Sequence, residues 1–287
     1  MENIPDEIID ELNRIKEISA KRKNGISTIS INHAQDIAKK HSLSTIEVEI
    51  AALKQNIMPA RYERNYDTIS FSEQIHLLRS SVAVVGCGGL GGNIIEMLAR
   101  LGIGNLVVID GDIFNESNLN RQLLCTENNI GKGKAESATA RIKHINSSIS
   151  TKTYSQFINL KNISTIIQGV DLAVDALDNI SSRFILERYC KSLKIPLIHG
   201  AINNFNGQVS TILPGDNGLE TIYGPPEKYD KQNKKSVVSV PSFTPALIAS
   251  LQVAEVVKVL LNRGKPLRNK LLLINLEELD INILEIG

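Results

Sequence analysis

Apolar residues recur along this chain with two periods. At Ile8, Ile9, Leu12, Ile15 and Ile18 they fall on one face of a helix predicted over 6–23. Helical stretches follow over 32–41 and 43–56, and Ser44 with Glu47 three residues on predicts a capping box. Pro59 and the run Arg61-Tyr62-Glu63-Arg64-Asn65 mark the join to the main body. Beyond it, short apolar runs alternate with helical patterns. Strands are predicted at Ser81–Val85, Asn105–Ile109, 171–177, 196–202 and 208–213, and helices over 93–101, 134–146, 181–193 and 245–261. Lys270–Asn275 with 280–286 reads as a hairpin. Strands about 20–35 residues apart with helices between them predict an α/β fold, a doubly wound, Rossmann-like, mainly parallel sheet. The segment 214–241, which holds Pro225-Pro226, is too long for an ordinary connection and is read as a crossover loop. The expected organisation is an N-terminal helical extension over 1–60 and a main domain over 61–287.

Composition narrows the class. The chain has 287 residues, 42% hydrophobic and 22% charged, which excludes a largely disordered, collagen-like or coiled-coil protein. Lys and Arg number 32 against 31 Asp and Glu, so no global field recruits nucleic acid or an anionic membrane. The helix pair around His41-Ser42-Leu43 has the outline of a DNA-binding helix-turn-helix, but such pairs are more often packing elements, and the charge balance argues against nucleic acid as a partner. No apolar run is expected to reach the roughly 18 residues of a membrane helix, and the first residues are acidic where a signal peptide would be basic. Cys87, Cys125 and Cys190 form neither a disulfide framework nor a CxxC pair. A cytoplasmic protein is expected. The five histidines show no ligand spacing and are assigned no role.

The chemistry concentrates in one stretch. Gly86-Cys87-Gly88-Gly89-Leu90-Gly91 directly follows a predicted strand and opens a helix, so backbone N–H groups and the helix N-terminus can meet phosphate oxygens. Asp110 ends the next strand about 20 residues on, where an acid accepts ribose hydroxyls. The other reading of the loop is a tight turn without a ligand. A dense polar set follows: Asp112, Asn118, Arg121, Gln122 and Lys134, all beyond the carboxyl end of a strand. Two cations, Arg121 and Lys134, suit a triphosphate better than a dinucleotide, because nucleotidyl transfer needs charge neutralised as it develops. Asp178 closes another strand and can hold Mg²⁺, or can cap the following helix. Arg121 can equally pair with an acid.

These motifs, in this order, closely resemble the ThiF/MoeB/HesA adenylyltransferases, relatives of ubiquitin-activating enzymes. The resemblance runs from Arg61 to about Leu261 and rests on Gly86–Gly91, Asp110 and Asp112, 117–122, 131–134 and Asp178-Asn179. Arg61-Tyr62-Glu63-Arg64-Asn65 looks like the family's RYxRQ segment, and Gly207-Gln208 like the strand before its crossover loop. The resemblance implies a reaction in which the C-terminal glycine carboxylate of a small ubiquitin-like sulfur-carrier protein, ending in Gly-Gly, attacks the α-phosphate of ATP. A carrier acyl-adenylate forms, and a separate sulfur donor then makes the thiocarboxylate used in molybdopterin- or thiamine-type biosynthesis. It implies that Gly86, Gly88, Gly89, Gly91, Asp112 and Gln122 bind ATP, that Asp110 holds the ribose, that Asn118, Arg121 and Lys134 hold the phosphates, and that Asp178 positions Mg²⁺. Arg64 of the partner subunit would act as an arginine finger, which implies a homodimer.

The sequence departs from that pattern in two places. Where many members carry the first of two CxxC pairs for a structural zinc, this chain reads Leu219-Glu220-Thr221-Ile222-Tyr223, and no second pair follows, so no zinc is expected. The crossover loop must then be fixed by packing or left mobile. It also lacks a cysteine to bond the carrier covalently, and Cys125 is the nearest thiol to the expected site. The net basic stretch 227–235 suits either an acidic carrier surface or solvent. Rival readings are adenylation of a peptide or a tRNA-borne carboxylate at the same site, a non-catalytic nucleotide-binding scaffold, and an NAD-binding dehydrogenase.

Overall fold

The computed structural model describes residues 5–19, 25–229 and 239–286. It divides into two compact units, Met1–Arg79 with Leu101–Gly104, and Ser80–Arg100 with 105–287. The first contains α1 (Asp6–Ser19), β1 (Ser27–Ile29), α2 (Ile31–Lys40), α3 (Thr45–Lys54), β2 (Ile57–Pro59), a 3-10 turn (Ala60–Asn65) and α4 (Phe71–Arg79). Residues 20–23 of the first predicted helix lie outside the described residues. Ile8 and Leu12 pack with Ile37, Val48 and Ala52, while Leu78 of α4 joins Leu53, Met58 and Tyr62 in a second cluster. The predicted capping box is present: the Glu47 N–H donates to Ser44 Oγ at 3.4 Å, and the Ser44 N–H to Glu47 Oε2 at 2.7 Å. Strands β1 and β2, not foreseen, pair in parallel. Helix α3 buries Val48, Glu49, Ala51, Ala52 and Leu53, and Glu49 lies 3.2 Å from the Arg61 guanidinium.

The second unit is built on an eight-stranded sheet. In chain order it holds β3 (Ser81–Val85), α5 (Gly89–Leu101), β4 (Asn105–Ile109), α6 (Lys134–Ile145), β5 (Ser150–Tyr154), α7 (Ile163–Ile167), β6 (Leu172–Asp175) and α8 (Ile180–Ser192). Then follow β7 (Leu197–Asn203), β8 (Asn206–Ile212), α9 (Leu219–Tyr223), α10 (Phe243–Leu260), β9 (Lys270–Asn275) and β10 (Asp280–Glu285). The strand order is β10-β9-β8-β7-β6-β3-β4-β5, parallel from β7 to β5 and antiparallel from β7 to β10. The chain runs from β3 to β4 and β5 on one side, then returns to β6 on the other. At this reversal, beyond the carboxyl ends of β3, β4 and β6, neighbouring loops diverge and leave a crevice of the kind that holds ligands in doubly wound sheets.

Three sequence expectations are corrected. Helix α5 starts at Gly89 rather than residue 93, because the glycines enter its first turn, where the Gly92 N–H donates to Gly88 O at 2.9 Å. The segment 214–241 is not a bare loop: it contains α9 and a 3-10 turn at Pro226–Lys228. Most of the basic stretch 227–235 lies outside the described residues. Finally, α10 is, by length and composition alone, long and apolar enough to cross a membrane. Its apolar face instead serves the core through Ile248, Ala249, Val253 and Val256. Gln252 and Glu255 on that face donate to Asp175 O (2.9 Å) and accept from Thr211 Oγ1 (2.6 Å) respectively. A helix that buries hydrogen-bonded polar groups against a sheet is a core helix.

Candidate active site

The glycine loop is shaped by its neighbours. Gly86 takes φ +101°, and a Cβ there would stand 2.5 Å from Ala176 O, so only glycine lets the turns after β3 and β6 lie this close. A Cβ at Gly91 would meet Gly86 O at 1.7 Å, which holds the helix start against the loop. Asp110, at the end of β4, ties the loop to the next turn. Its Oδ2 accepts the Cys87 N–H at 2.7 Å and its Oδ1 the Asp112 N–H at 2.8 Å. Burial raises the Asp110 pKa, and the two backbone N–H groups work against that rise. Each oxygen keeps a lone pair for a hydroxyl donor.

The polar stretch after β4 folds back over this loop. Asn118 is buried and its Oδ1 accepts the Asn115 N–H at 3.1 Å. The same turn sets Arg121 and Gln122, whose N–H groups donate to Asn118 O at 3.1 and 2.9 Å. Among the described residues the Arg121 guanidinium bonds only near neighbours, Ser117 O at 2.9 Å and Asn120 Oδ1 at 2.8 Å. Lys134, at the start of α6, is buried, and its Nζ lies 3.3 Å from Asp112 Oδ2, on a carboxylate 40% exposed. Gln122 is buried beside Gly88, and its Oε1 has no hydrogen-bond partner among the described residues. Open backbone N–H groups at the helix start and a buried ammonium sharing one half-exposed carboxylate fit a polyphosphate, whereas the Gln122 Oε1, an acceptor, would be completed only by a donor such as a nucleotide hydroxyl or amine.

Asp178 is exposed in the turn after β6, and among the described residues its Oδ1 accepts only the Asn179 side-chain amide, at 3.2 Å. Asn179, not Asp178, caps α8: its Oδ1 accepts the Ser182 N–H at 2.8 Å. Asp178 is thereby left available for a ligand. Among the described residues no cluster of three or more His, Cys, Asp or Glu could hold a metal. A lone carboxylate suits Mg²⁺, which takes its remaining ligands from phosphates and water. Arg64 sits exposed on the 3-10 turn of the first unit. Cys87 and Cys125 are buried, and burial pushes both thiols up, Cys87 well above the ordinary value. A cleft of about 680 Å³ between 123–129 and α6 is lined by none of these site residues.

One assembly was not foreseen. His199, given no role above, lies fully buried with Nδ1 2.7 Å from Asp175 Oδ2. Its Nε2 is 3.2 Å from the Tyr223 hydroxyl of α9, which accepts from Arg183 Nη1 at 2.7 Å and Gln208 Nε2 at 2.8 Å. Tyr229 Oη donates to Tyr223 O at 2.9 Å, and the Leu219 N–H to Glu187 Oε1 at 2.8 Å. The first part of the crossover segment is therefore fastened by hydrogen bonds. The available signal was a histidine inside the apolar run Leu197-Ile198-His199, since a buried imidazole needs a partner.

The strand order and the glycine loop are those of a Rossmann-type α/β fold. The chain belongs to the ThiF family, whose profile matches residues 62–287. It is 35% identical over 214 residues to the SAMP-activating enzyme E1 of Haloferax volcanii, covering 74% of this chain and 79% of that one. It is 34% identical over 230 residues to the molybdopterin-synthase adenylyltransferase of Haemophilus influenzae, covering 79% and 93%. The crystal structure of E. coli MccB with ATP superposes with a TM-score of 0.69 at 26% identity, over 80% of this chain and 74% of that one. With the family comes the class of reaction: the chain is a nucleotidyltransferase, and the family implies use of ATP.

Proposed function

We propose that this enzyme adenylates the C-terminal glycine carboxylate of a small ubiquitin-like sulfur-carrier protein, with ATP and Mg²⁺. A carboxylate oxygen attacks the α-phosphorus, the bond to pyrophosphate breaks, and a carrier acyl-adenylate and pyrophosphate result. A separate sulfur donor then displaces AMP to give the thiocarboxylate, in a route of the molybdopterin or thiamine type. The chemistry asks the protein for position and charge neutralisation and for no nucleophile of its own. Asp110 receives the ribose hydroxyls, with Asp112 beside it. The loop at Gly86, Gly88, Gly89 and Gly91 and the Gln122 amide line the phosphates. Asn118, Arg121 and Lys134 hold them, Asp178 holds Mg²⁺, and Arg64 completes the site in a cytoplasmic homodimer.

The observation that most supports the reading is the partly satisfied polar set around the glycine loop. The Lys134 ammonium, buried and sharing one half-exposed carboxylate, and the open backbone N–H groups at the start of α5 leave donor capacity that a triphosphate would use. ATP–pyrophosphate exchange with a panel of Gly-Gly-ending carriers, with and without Mg²⁺, tests it. The expected result is Mg²⁺-dependent exchange with one carrier. ATP binding without exchange on any carrier would overturn the carrier and favour a peptide or other carboxylate; no ATP binding would overturn the nucleotide site.

A further inference from the structure

The Tyr223 hydroxyl has two lone pairs and one proton. Arg183 Nη1 and Gln208 Nε2 donate to it at 2.7 and 2.8 Å, which leaves its own proton facing His199 Nε2, 3.2 Å away, a nitrogen that Gln208 Nε2 also approaches at 3.0 Å. That arrangement needs a neutral imidazole carrying its proton on Nδ1, toward Asp175 Oδ2 at 2.7 Å. Burial, which lowers the His199 pKa, acts in the same direction. The chain of contacts then reaches the turn after β6. Asp175 Oδ1 accepts the Leu177 N–H at 3.0 Å, and Arg183 Nη2 donates to Leu177 O at 2.6 Å. The Leu177 carbonyl lies in the same peptide plane as the Asp178 nitrogen. Leu177 is thus clamped on both sides, and the arginine that clamps its carbonyl is itself held by a tyrosine of the crossover segment.

We propose that Tyr223 is a positioning residue for adenylation: docked against Arg183 and His199, it couples the crossover segment to the peptide plane that presents Asp178. The segment where relatives would carry zinc ligands is here seated by a phenol, and its seating sets the carboxylate at the nucleotide. The inference rests on the role given to Asp178 under Proposed function.

Tyr223→Phe keeps the ring and removes the hydroxyl. In the ligand-free protein, amide hydrogen exchange is expected to quicken about 10-fold both at 219–223 and at 176–179. In turnover, kcat for carrier-dependent pyrophosphate release is expected to fall about 10-fold with the KM for ATP within about 2-fold. Tyr229→Phe removes only the outer brace on Tyr223 O, and is expected to give smaller changes in the same direction should Tyr223→Phe fold poorly. Faster exchange at 219–223 alone, with kcat unchanged, would reduce Tyr223 to an anchor and overturn the coupling. Asp178→Asn separates the two claims. Loss of turnover with exchange at 219–223 unchanged supports both, whereas normal turnover would sink the Asp178 role while leaving the exchange coupling to be judged by the tyrosine variants.

Discussion

Two polar assemblies stand at the carboxyl ends of adjacent strands, and they are finished differently. Around the glycine loop, among the described residues, Gln122 Oε1 has no partner, Arg121 bonds only residues of its own turn, and Lys134 shares one half-exposed carboxylate. Around Asp175, both ring nitrogens of His199 are engaged, and the Tyr223 hydroxyl has three neighbours for its three bonding positions. Unsatisfied buried polar groups cost stability unless something completes them. The first set therefore reads as a place kept for a ligand. The second also leaves one atom short, Arg183 Nε at 3.6 Å from Asp175 Oδ2, but its other groups bond one another across five elements, and it reads as a device that fixes geometry. Neither polar density nor a single unpaired atom separates the two; whether the bonds stay within one turn or tie distant elements together does.

The largest expected effect breaks the first assembly. Arg121→Ala should lower pyrophosphate exchange at least about 100-fold, the scale for losing a group that neutralises transition-state charge, with a melting temperature within about 2 °C of the parent. Its bonds are local, so the fold does not depend on them. Asp175→Ala should do the reverse. It leaves the Leu177 N–H and His199 Nδ1 without their buried acceptor, and denaturant unfolding should report a loss of about 3–5 kcal/mol. A stable Asp175→Ala protein, or an Arg121→Ala protein that unfolds early, would erase the distinction between ligand site and framework.

The two assemblies were also unequally legible in the sequence. Gly86–Gly91, Asp110, Arg121 and Lys134 are contiguous in motif and lie where local rules apply: strand end, helix start, acid at the next strand end. Asp175, Arg183, His199, Gln208 and Tyr223 come from five elements, and only the sheet order brings them together. No spacing along the chain encodes that. The same split holds for the fold. Ser81–Val85 and Asn105–Ile109 announce themselves as apolar runs, because parallel strands buried on both faces must be apolar. Strand β5 reads Ser-Thr-Lys-Thr-Tyr at the sheet edge, largely exposed, and gave no apolar signal. In the 214–241 segment the prolines conceal α9, a helix held by tertiary bonds from Glu187 and Arg183 and not by its own propensity.

A smaller effect sharpens the account of the assembly around Asp175 through pH. Burial holds the His199 pKa below its ordinary 6.5, so the folded protein keeps the ring neutral where the unfolded chain takes up a proton. The unfolded state then binds more protons, and stability falls as pH drops through about 6.5 until the folded pKa is reached, with a slope of up to about 1.4 kcal/mol per pH unit from this group. His199→Gln should flatten that part of the pH–stability curve, whatever its stability at pH 8. Urea unfolding of both proteins at several pH values between 5 and 8 checks it; parallel curves would mean that the ring does not stay neutral.

The smallest expected effect concerns the assembly around the glycine loop. Cys125 is the thiol nearest the polar stretch in sequence, and a covalent carrier intermediate would need it as a thiolate. Burial raises its pKa, and its Sγ lies 3.8 Å from Asn115 O, an acceptor that favours the protonated form. Cys125→Ser should therefore leave ATP–pyrophosphate exchange within about 2-fold of the parent, as expected where no step uses the thiol. The replacement is nearly isosteric, so a large loss could not be assigned to packing. Such a loss, together with a carrier adduct sensitive to hydroxylamine in the parent and absent in the variant, would place a nucleophile in a site that on present geometry works by position and charge alone.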